Sequence, residues 1–210
     1  TCLEDSSVTG NVLANDTSTS GALSVTQFVI SGLAGINAAG ATVVIPGVGT
    51  IELASTGVYT FTPLANWNGA VPTITYQCTN GSDVKNGNLS ITVTAVNDAP
   101  VAQADSTGTL QGQAVTINVL ANDSDVDGDA LTITQINGTA IATGGTVAIT
   151  NATVLLNADK TLTFTPGASV TGAQTFSYTI NDGRGGTAVA NVTVNIVATG
   201  GSVATPVILY

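Results

Sequence analysis

Four aspartates at alternating positions are the residues of this chain with the clearest chemical use. They are Asp123, Asp125, Asp127 and Asp129, in the run Asp-x-Asp-x-Asp-Gly-Asp. Carboxylate oxygens two residues apart, beside a glycine that permits a sharp turn, can surround a hard cation such as Ca²⁺. A solvated acidic turn is the alternative, although four carboxylates this close would repel one another without a cation. We therefore predict a calcium site in residues 123–129, called the acidic loop below.

The residues needed for catalysis are scarce. The chain contains no His, and its glutamates, Glu4 and Glu52, show no spacing typical of a catalytic pair. Ser and Thr are abundant, but no base stands near them to activate them. A glycosidase-type pair of aspartates is the remaining enzymatic alternative, yet the aspartates fall in turns that already explain them. We predict that the protein is not an enzyme.

The segments that position these residues occur twice. Residues 11–16 read NVLAND and recur at 118–123, and YTFTP at 59–63 is echoed by LTFTP at 162–166. Self-similarity at a spacing of this size is typical of tandem domains with one fold. We expect a first domain at 1–97, a second at 98–198 and a C-terminal tail at 199–210.

The composition and periodicity indicate an all-β protein. Only 8% of residues are charged and 43% are hydrophobic, and apolar residues alternate with hydroxyl-bearing ones in short runs separated by Gly, Asn and Asp. Such runs predict two tandem Greek-key β-sandwich domains. The net charge of −10, with three basic residues, argues against nucleic acid as a partner. Without a run of about 18 apolar residues, we expect no membrane insertion.

Several phrases carry a family resemblance. VLANDSDVDGDALTIT at 119–134, FSYTINDGRGG at 176–186 and AVNDAPVAQAD at 95–105 resemble the cadherin-like and immunoglobulin-like repeats of large bacterial surface adhesins. The resemblance implies a secreted, extracellular or cell-surface protein, often stiffened by calcium. It also implies that the repeats build stalks or fibres and carry no active site.

Two further acidic sets follow from the expected topology. If the first strand runs down each Greek-key domain, the acidic loop lies at the bottom, while the chain start and the last turn lie at the top. We therefore expect a calcium site at the junction between the two domains and another cation site between neighbouring copies of the chain, called the intersubunit site below. The junction set is Asp16, Asp98, Asp105 and Asp182, and the intersubunit set is Glu4, Asp5 and Asp83.

The two cysteines fall in the first repeat. Cys2 aligns with Thr109 and Cys78 with Ile180, and both positions are expected near the top of the domain. We predict a Cys2–Cys78 disulfide, worth about 4 kcal/mol in the chain-entropy model. A buried thiol at Cys78 and an intersubunit bond through Cys2 are the alternatives.

The first repeat lacks a strand and the chain end offers one. The second repeat opens with a predicted strand near 101–106, whereas Thr1 aligns with residue 108. We predict that the tail of one copy supplies this strand to the next copy, which builds a head-to-tail filament. The alternative is a stalk segment of a calcium-dependent adhesin used in cell adhesion and biofilm, whose tail begins a third repeat. The expected donor residues are Val203, Thr205, Val207 and Leu209.

Trp67 is the candidate for a carbohydrate platform. With Tyr59, Phe61 and Tyr76 it is better explained by core or corner packing. Binding to a glycan, a host or an abiotic surface is then expected from other regions. The main partner that the sequence predicts is another copy of the same chain.

Overall fold

Alternating apolar and polar residues build β-strands in the computed structural model, which describes residues 1–19 and 21–200. In the strand Thr187–Val197, every second residue from Ala190 to Ile196 is buried. Helix in the described residues is limited to a 3₁₀ turn, Val119–Ala121, and no helix described is long and apolar enough to cross a membrane. The predicted all-β fold class is confirmed.

The chain divides into unit 1, Thr1–Val96, and unit 2, Asn97–Tyr210. The described strands of unit 1 are β1 (Cys2–Leu3), β2 (Val8–Asn11), β3 (Ser24–Ile30), β4 (Asn37–Ala38), β5 (Thr42–Ile45), β6 (Gly49–Leu53), β7 (Val58–Pro63), β8 (Gly69–Ala70), β9 (Ile74–Thr79), β10 (Val84–Leu89) and β11 (Thr92–Thr94). They form sheets in the orders β10-β9-β3-β4, β2-β7-β6-β5 and β1-β11-β8. Phe28 and Phe61 come from different sheets and are buried in one core.

The strands of unit 2 form a similar arrangement in two sheets. They are β12 (Asp105–Leu110), β13 (Val115–Ile117), β14 (Thr132–Ile136), β15 (Thr139–Ala140), β16 (Thr146–Ile149), β17 (Ala152–Leu156), β18 (Leu162–Pro166), β19 (Gly172–Asn181) and β20 (Thr187–Val197). The sheets have the orders β12-β20-β19-β14-β15 and β13-β18-β17-β16. Phe164 and Phe176 stack between them with ring centroids 5.9 Å apart.

The opening strand differs from the prediction in both units. In unit 2 it is β12, which starts at Asp105 and pairs in parallel with β20, while Val101 makes an isolated bridge. In unit 1 the strand is not wholly absent, because β1 pairs in parallel with Val93 and Thr94. These two pairs correspond to the last two of the six pairs that β12 makes. Unit 1 therefore keeps a short remnant of its opening strand.

The ends of unit 2 also differ from the prediction. β12 runs toward one end and β13 returns from it, so the acidic loop lies at the end where β12 begins. Two strands, β12 and β13, precede the acidic loop, whereas one strand was expected. The segment 97–105, the acidic loop and the turn between β19 and β20 therefore share one end of unit 2, called the acidic end below.

The predicted Cys2–Cys78 disulfide is wrong, because both thiols are free. Cys2 pairs with Val93 in the small sheet, and Cys78 lies in β9 beside Val25. The two strands belong to different sheets. Thr109, the counterpart of Cys2, lies at the far end of β12. Ile180, the counterpart of Cys78, lies near the acidic end. A disulfide needs Cα atoms within about 7 Å. Burial raises the pKa of the Cys78 thiol.

Alkylation of the denatured, non-reduced chain should therefore add two groups per molecule, because neither thiol is consumed by a bond. Intact mass measures the number of groups, and a sample reduced before alkylation is the control that defines full labelling. A chain that gains no group without reductant, and two groups after reduction, would restore the disulfide.

Candidate cation site

A buried tyrosine hydroxyl holds the start of the acidic loop. Tyr178 of β19 is fully buried, and its hydroxyl lies 3.3 Å from the Val119 carbonyl and 3.0 Å from one oxygen of Asp123. The Gln103 carbonyl is also 3.0 Å away. One hydroxyl proton is shared among these acceptors. Burial, followed by the charges of Asp105 and Asp123, raises the pKa of Tyr178.

Unit 1 contains the equivalent interaction. The Tyr76 hydroxyl lies 3.0 Å from the Val12 carbonyl and 3.0 Å from Oδ2 of Asp16. Burial and the hydrogen bond to Asp16 raise the pKa of Tyr76 to about 12. Asp16 and Asp123 close the repeated NVLAND phrase, so in both units this phrase provides acceptors for the tyrosine hydroxyl.

Three of the four aspartates of the acidic loop form one group. Oδ1 of Asp125 accepts the backbone N–H of Asp127 at 2.9 Å and that of Asp129 at 3.3 Å. Gly128, with φ +76°, completes the turn. One carboxylate oxygen from each of the three aspartates lies within 4.8 Å of the other two.

The group fits a calcium ion. Calcium takes oxygen ligands at about 2.3–2.6 Å, which is compatible with oxygens this far apart. Oδ2 of Asp125 is buried and has no hydrogen-bond partner among the described residues, so a cation would satisfy it. Asp123 stands outside the group, because its oxygens accept from Tyr178 and from the N–H of Gln103 at 2.8 Å.

Arg184 lies at the rim of this group, and sequence reasoning missed it. Its Nε is 2.9 Å from Oδ1 and 2.8 Å from Oδ2 of Asp129. The guanidinium neutralises part of the acidic charge, although its exposure keeps the ion pair weak. The chain has only three basic residues, and Arg184 follows Asp182 by two positions. This rare basic residue close to an aspartate could have indicated an ion pair at the acidic end.

The residues of the expected junction set have separate roles. Asp182 is buried, and its oxygens accept three backbone N–H groups of the turn 184–186 and the side-chain amide of Asn97 at 2.7 Å. These bonds, led by the one from Asn97, lower the pKa of Asp182. Asp182 is thus a turn cap with its oxygens occupied.

The other residues of the junction set have different contacts. The backbone N–H of Asp98 donates to Oδ2 of Asp127 at 2.8 Å, which ties the linker to the acidic loop. Asp105 lies near Tyr178, and burial raises its pKa. Asp16 belongs to unit 1, where it accepts from Tyr76. The expectation that the acidic loop and Asp98 lie at opposite ends of the domain is wrong.

The expected intersubunit set is not brought together. Glu4 is buried and accepts the backbone N–H of Val96 and, at 3.2 Å, the amide of Asn68. Asp5 accepts a backbone N–H from the same loop as Asn68. Asp83 lies in the β9–β10 turn, at the opposite end of unit 1, because β10 runs from that turn toward Val96. One cation cannot bind all three.

Trp67 packs against the core of unit 1. The expected donor residues lie outside the described part of the chain; they are Val203, Thr205, Val207 and Leu209.

Comparison with known proteins identifies the repeats. Residues 1–94 and 97–195 each match the family model of the bacterial Ig domain. No curated protein matches the sequence. Among solved structures, the chain is similar to human CDH23 EC21-23, with 17% identity over 93% of this chain and 71% of that chain and a TM-score of 0.49. The chain is also similar to the insect immune protein hemolin, with 14% identity over 84% of this chain and 43% of that chain and a TM-score of 0.39.

An endo-fucoidan hydrolase of glycoside hydrolase family 107 is also similar, with 20% identity over 76% of this chain and a TM-score of 0.33. The chain spans 23% of the length of that enzyme. Identities and TM-scores this low transfer no activity to this chain.

The Tyr76→Phe variant should lower the free energy of unfolding by about 1–2 kcal/mol at neutral pH, because the Val12 carbonyl loses its hydrogen bond. The folded-state pKa of about 12 lies above the ordinary value of 10.0. The contribution of the hydroxyl is therefore complete below pH 10 and is lost as the pH rises through about 12.

Urea unfolding of both proteins over this pH range measures the difference. Tyr59→Phe controls for alkaline destabilisation in general. A difference between wild type and Tyr76→Phe that stays constant up to pH 12 would contradict the assigned shift.

Proposed function

The chain belongs to the bacterial Ig domain family, and we propose that it is a non-enzymatic subunit of an extracellular filament. Tandem repeats of this family point to a structural role at the cell surface or outside the cell. Domains with this fold are generally not enzymes. In the proposed filament, the C-terminal tail of each subunit adds a strand to unit 1 of the next.

The open edge of β10 is the observation that supports this proposal. In unit 2, β20 lies between β19 and β12, whereas β10 is paired with β9 and has no partner on its other side among the described residues. The hairpin registers make Leu89 the counterpart of Val192. Val192 is fully buried, but Leu89 is only partly buried. An extended segment bound beside this edge would cover apolar surface.

The tail has the composition of such a strand. Residues 203–210 read VATPVILY, without a charged side chain, and follow the pair Gly200-Gly201. A contact between the tail of one copy and unit 1 of another joins different surfaces, so it repeats without closing and gives open filaments.

The 210-residue chain should form long filaments with a regular axial repeat in negative-stain electron microscopy. A variant that lacks residues 201–210 should remain monomeric, because it retains the acceptor edge and loses the donor. Mixing the truncated variant into the full chain should shorten the filaments, since it caps them.

Filaments formed by the truncated variant would refute strand donation. Isolated two-domain particles of the full chain would instead favour a stalk segment of a larger surface adhesin, in which neighbouring repeats complete unit 1.

We also propose that Ca²⁺ binds the acidic loop through Asp125, Asp127 and Asp129. The buried, unpartnered Oδ2 of Asp125 supports this proposal. Together with Arg184, which pairs with Asp129, bound calcium would balance the charge of the three carboxylates and fix the acidic end of unit 2, to which Asp98 already ties the linker.

Calcium should raise the thermal midpoint of the wild-type chain, and a chelator should reverse the shift. Calcium at 100 times its dissociation constant stabilises the folded state by about 2.7 kcal/mol. The Asp125→Asn variant should lose the shift, whereas Asp83→Asn, which removes the same charge from unit 1, should keep it. Equal midpoints with calcium and with chelator would refute the site.

A further inference from the structure

Unit 1 carries a groove beside its open edge. The groove has a volume of about 310 Å³ and lies between the loop Asp16–Thr19 and residues 85–87 of β10, with Cys78 among its lining residues. The Tyr76 hydroxyl binds Asp16 at this end of the unit. The groove thus lies where unit 1 and unit 2 can be compared residue by residue.

Unit 2 shows what occupies the equivalent position. There the segment 101–104 lies along the loop 122–124. Val101 and Ser124 exchange two backbone hydrogen bonds, of 2.8 and 3.0 Å. The N–H of Gln103 donates to Asp123 at 2.8 Å, and its carbonyl accepts from Tyr178. The segment is thus held through its main chain.

Unit 1 presents the same hydrogen-bonding groups. Thr17, Asp16 and Tyr76 are the counterparts of Ser124, Asp123 and Tyr178. Among the described residues, neither the main chain of Thr17 nor Oδ1 of Asp16 has a hydrogen-bond partner. The equivalent atoms bind the segment in unit 2, so unit 1 presents the same set of main-chain binding groups.

The tail matches the segment in sequence and complements the groove in size. Thr205-Pro206-Val207 parallels Ala99-Pro100-Val101, and Ile208 then falls at the position of Ala102. Ala102 packs against the core of unit 2. The groove of unit 1 is lined by Cys78 and Gly87 where unit 2 has Ile180 and Ala190. The Tyr76 ring fills the space beside Gly87, so the room for the larger Ile208 comes from Cys78, which is smaller than Ile180.

We infer that residues 205–210 of one copy bind this groove of a second copy in the register of residues 99–104. The inference rests on the proposed function and adds the register of the donor. In unit 2 the ladder begins only at Asp105, opposite Val192, so a tail in the register of residues 99–104 lies beside β10 and is held through the loop Asp16–Thr19, without ladder pairs to β10. Val207 then pairs with Thr17, and the main chain of Leu209 binds Asp16 and Tyr76.

This register reverses the face expected from the sequence. In unit 2, Pro100 is buried and Ala102 is partly buried, whereas Val101 is 58% exposed and Gln103 is exposed. In the inferred register Pro206 and Ile208 would therefore point inward, and Val207 and Leu209 would point outward. The two faces are separable by mutation because they alternate along the tail.

Disulfide trapping tests the register directly. Two residues that exchange both backbone hydrogen bonds have Cα atoms about 5.5 Å apart, which lies within the range of a disulfide. In a Cys2→Ser, Cys78→Ala background, the T17C/V207C variant should oxidise to a ladder of covalent multimers on a non-reducing gel. T17C/I208C is the matched control and should give none, because Ile208 points inward.

Polar substitutions provide a second readout that needs no new cysteine. Ile208→Asn should abolish filaments, and Val207→Asn should retain them. A ladder with I208C and none with V207C, or filaments lost with Val207→Asn and kept with Ile208→Asn, would overturn the register while leaving strand donation intact. A fast-migrating monomer of T17C/V207C would show the tail bound to its own unit 1. Absence of filaments in every variant and in the wild type would overturn the proposed function itself.

Discussion

Each unit depends on one buried hydroxyl. Tyr76 and Tyr178 stand in the central strands of their sheets and bind a valine carbonyl and an aspartate carboxylate of the NVLAND phrase. The bond satisfies a carbonyl that folding removes from water. It also fixes the loop that follows the first hairpin. The group of three aspartates in unit 2 and the groove of unit 1 both lie beside this loop, so their geometry follows from it.

The same anchored loop has diverged between the units. After the anchoring aspartate, unit 2 continues Ser-Asp-Val-Asp-Gly-Asp, and unit 1 continues Thr-Ser-Thr-Ser. The first continuation gathers three carboxylates around Gly128, with Arg184 at the rim. The second carries no charge and borders a groove. One scaffold thus carries a cluster of carboxylates in one unit and an uncharged loop beside a groove in the other.

The sequence predicted the strands with strong alternation and the two repeated units, because burial of one sheet face imposes a period of two. It did not predict β12, since Asp105-Ser106-Thr107-Gly108 has no apolar alternation and is held by parallel edge pairing. Without β12, the predicted topology had one strand too few before the acidic loop, and it therefore placed that loop at the wrong end of unit 2. The NVLAND phrase and the segment around Tyr76 or Tyr178 recur together in the sequence. Repetition alone does not show that the two segments are hydrogen-bonded to each other. The roles of Asp123 and Asp182 depend on hydrogen bonds from residues distant in sequence, which spacing cannot reveal.

The parallel pairing of β12 with β20 has a mechanical consequence. The opening strand begins at the end of unit 2 opposite to the one where β20 finishes. Tension applied at the two ends of the unit would therefore slide these strands past each other. All six paired positions would resist at once, whereas an antiparallel terminal pair would open one bond at a time. Unit 1, with two paired positions in β1, would yield at a lower force.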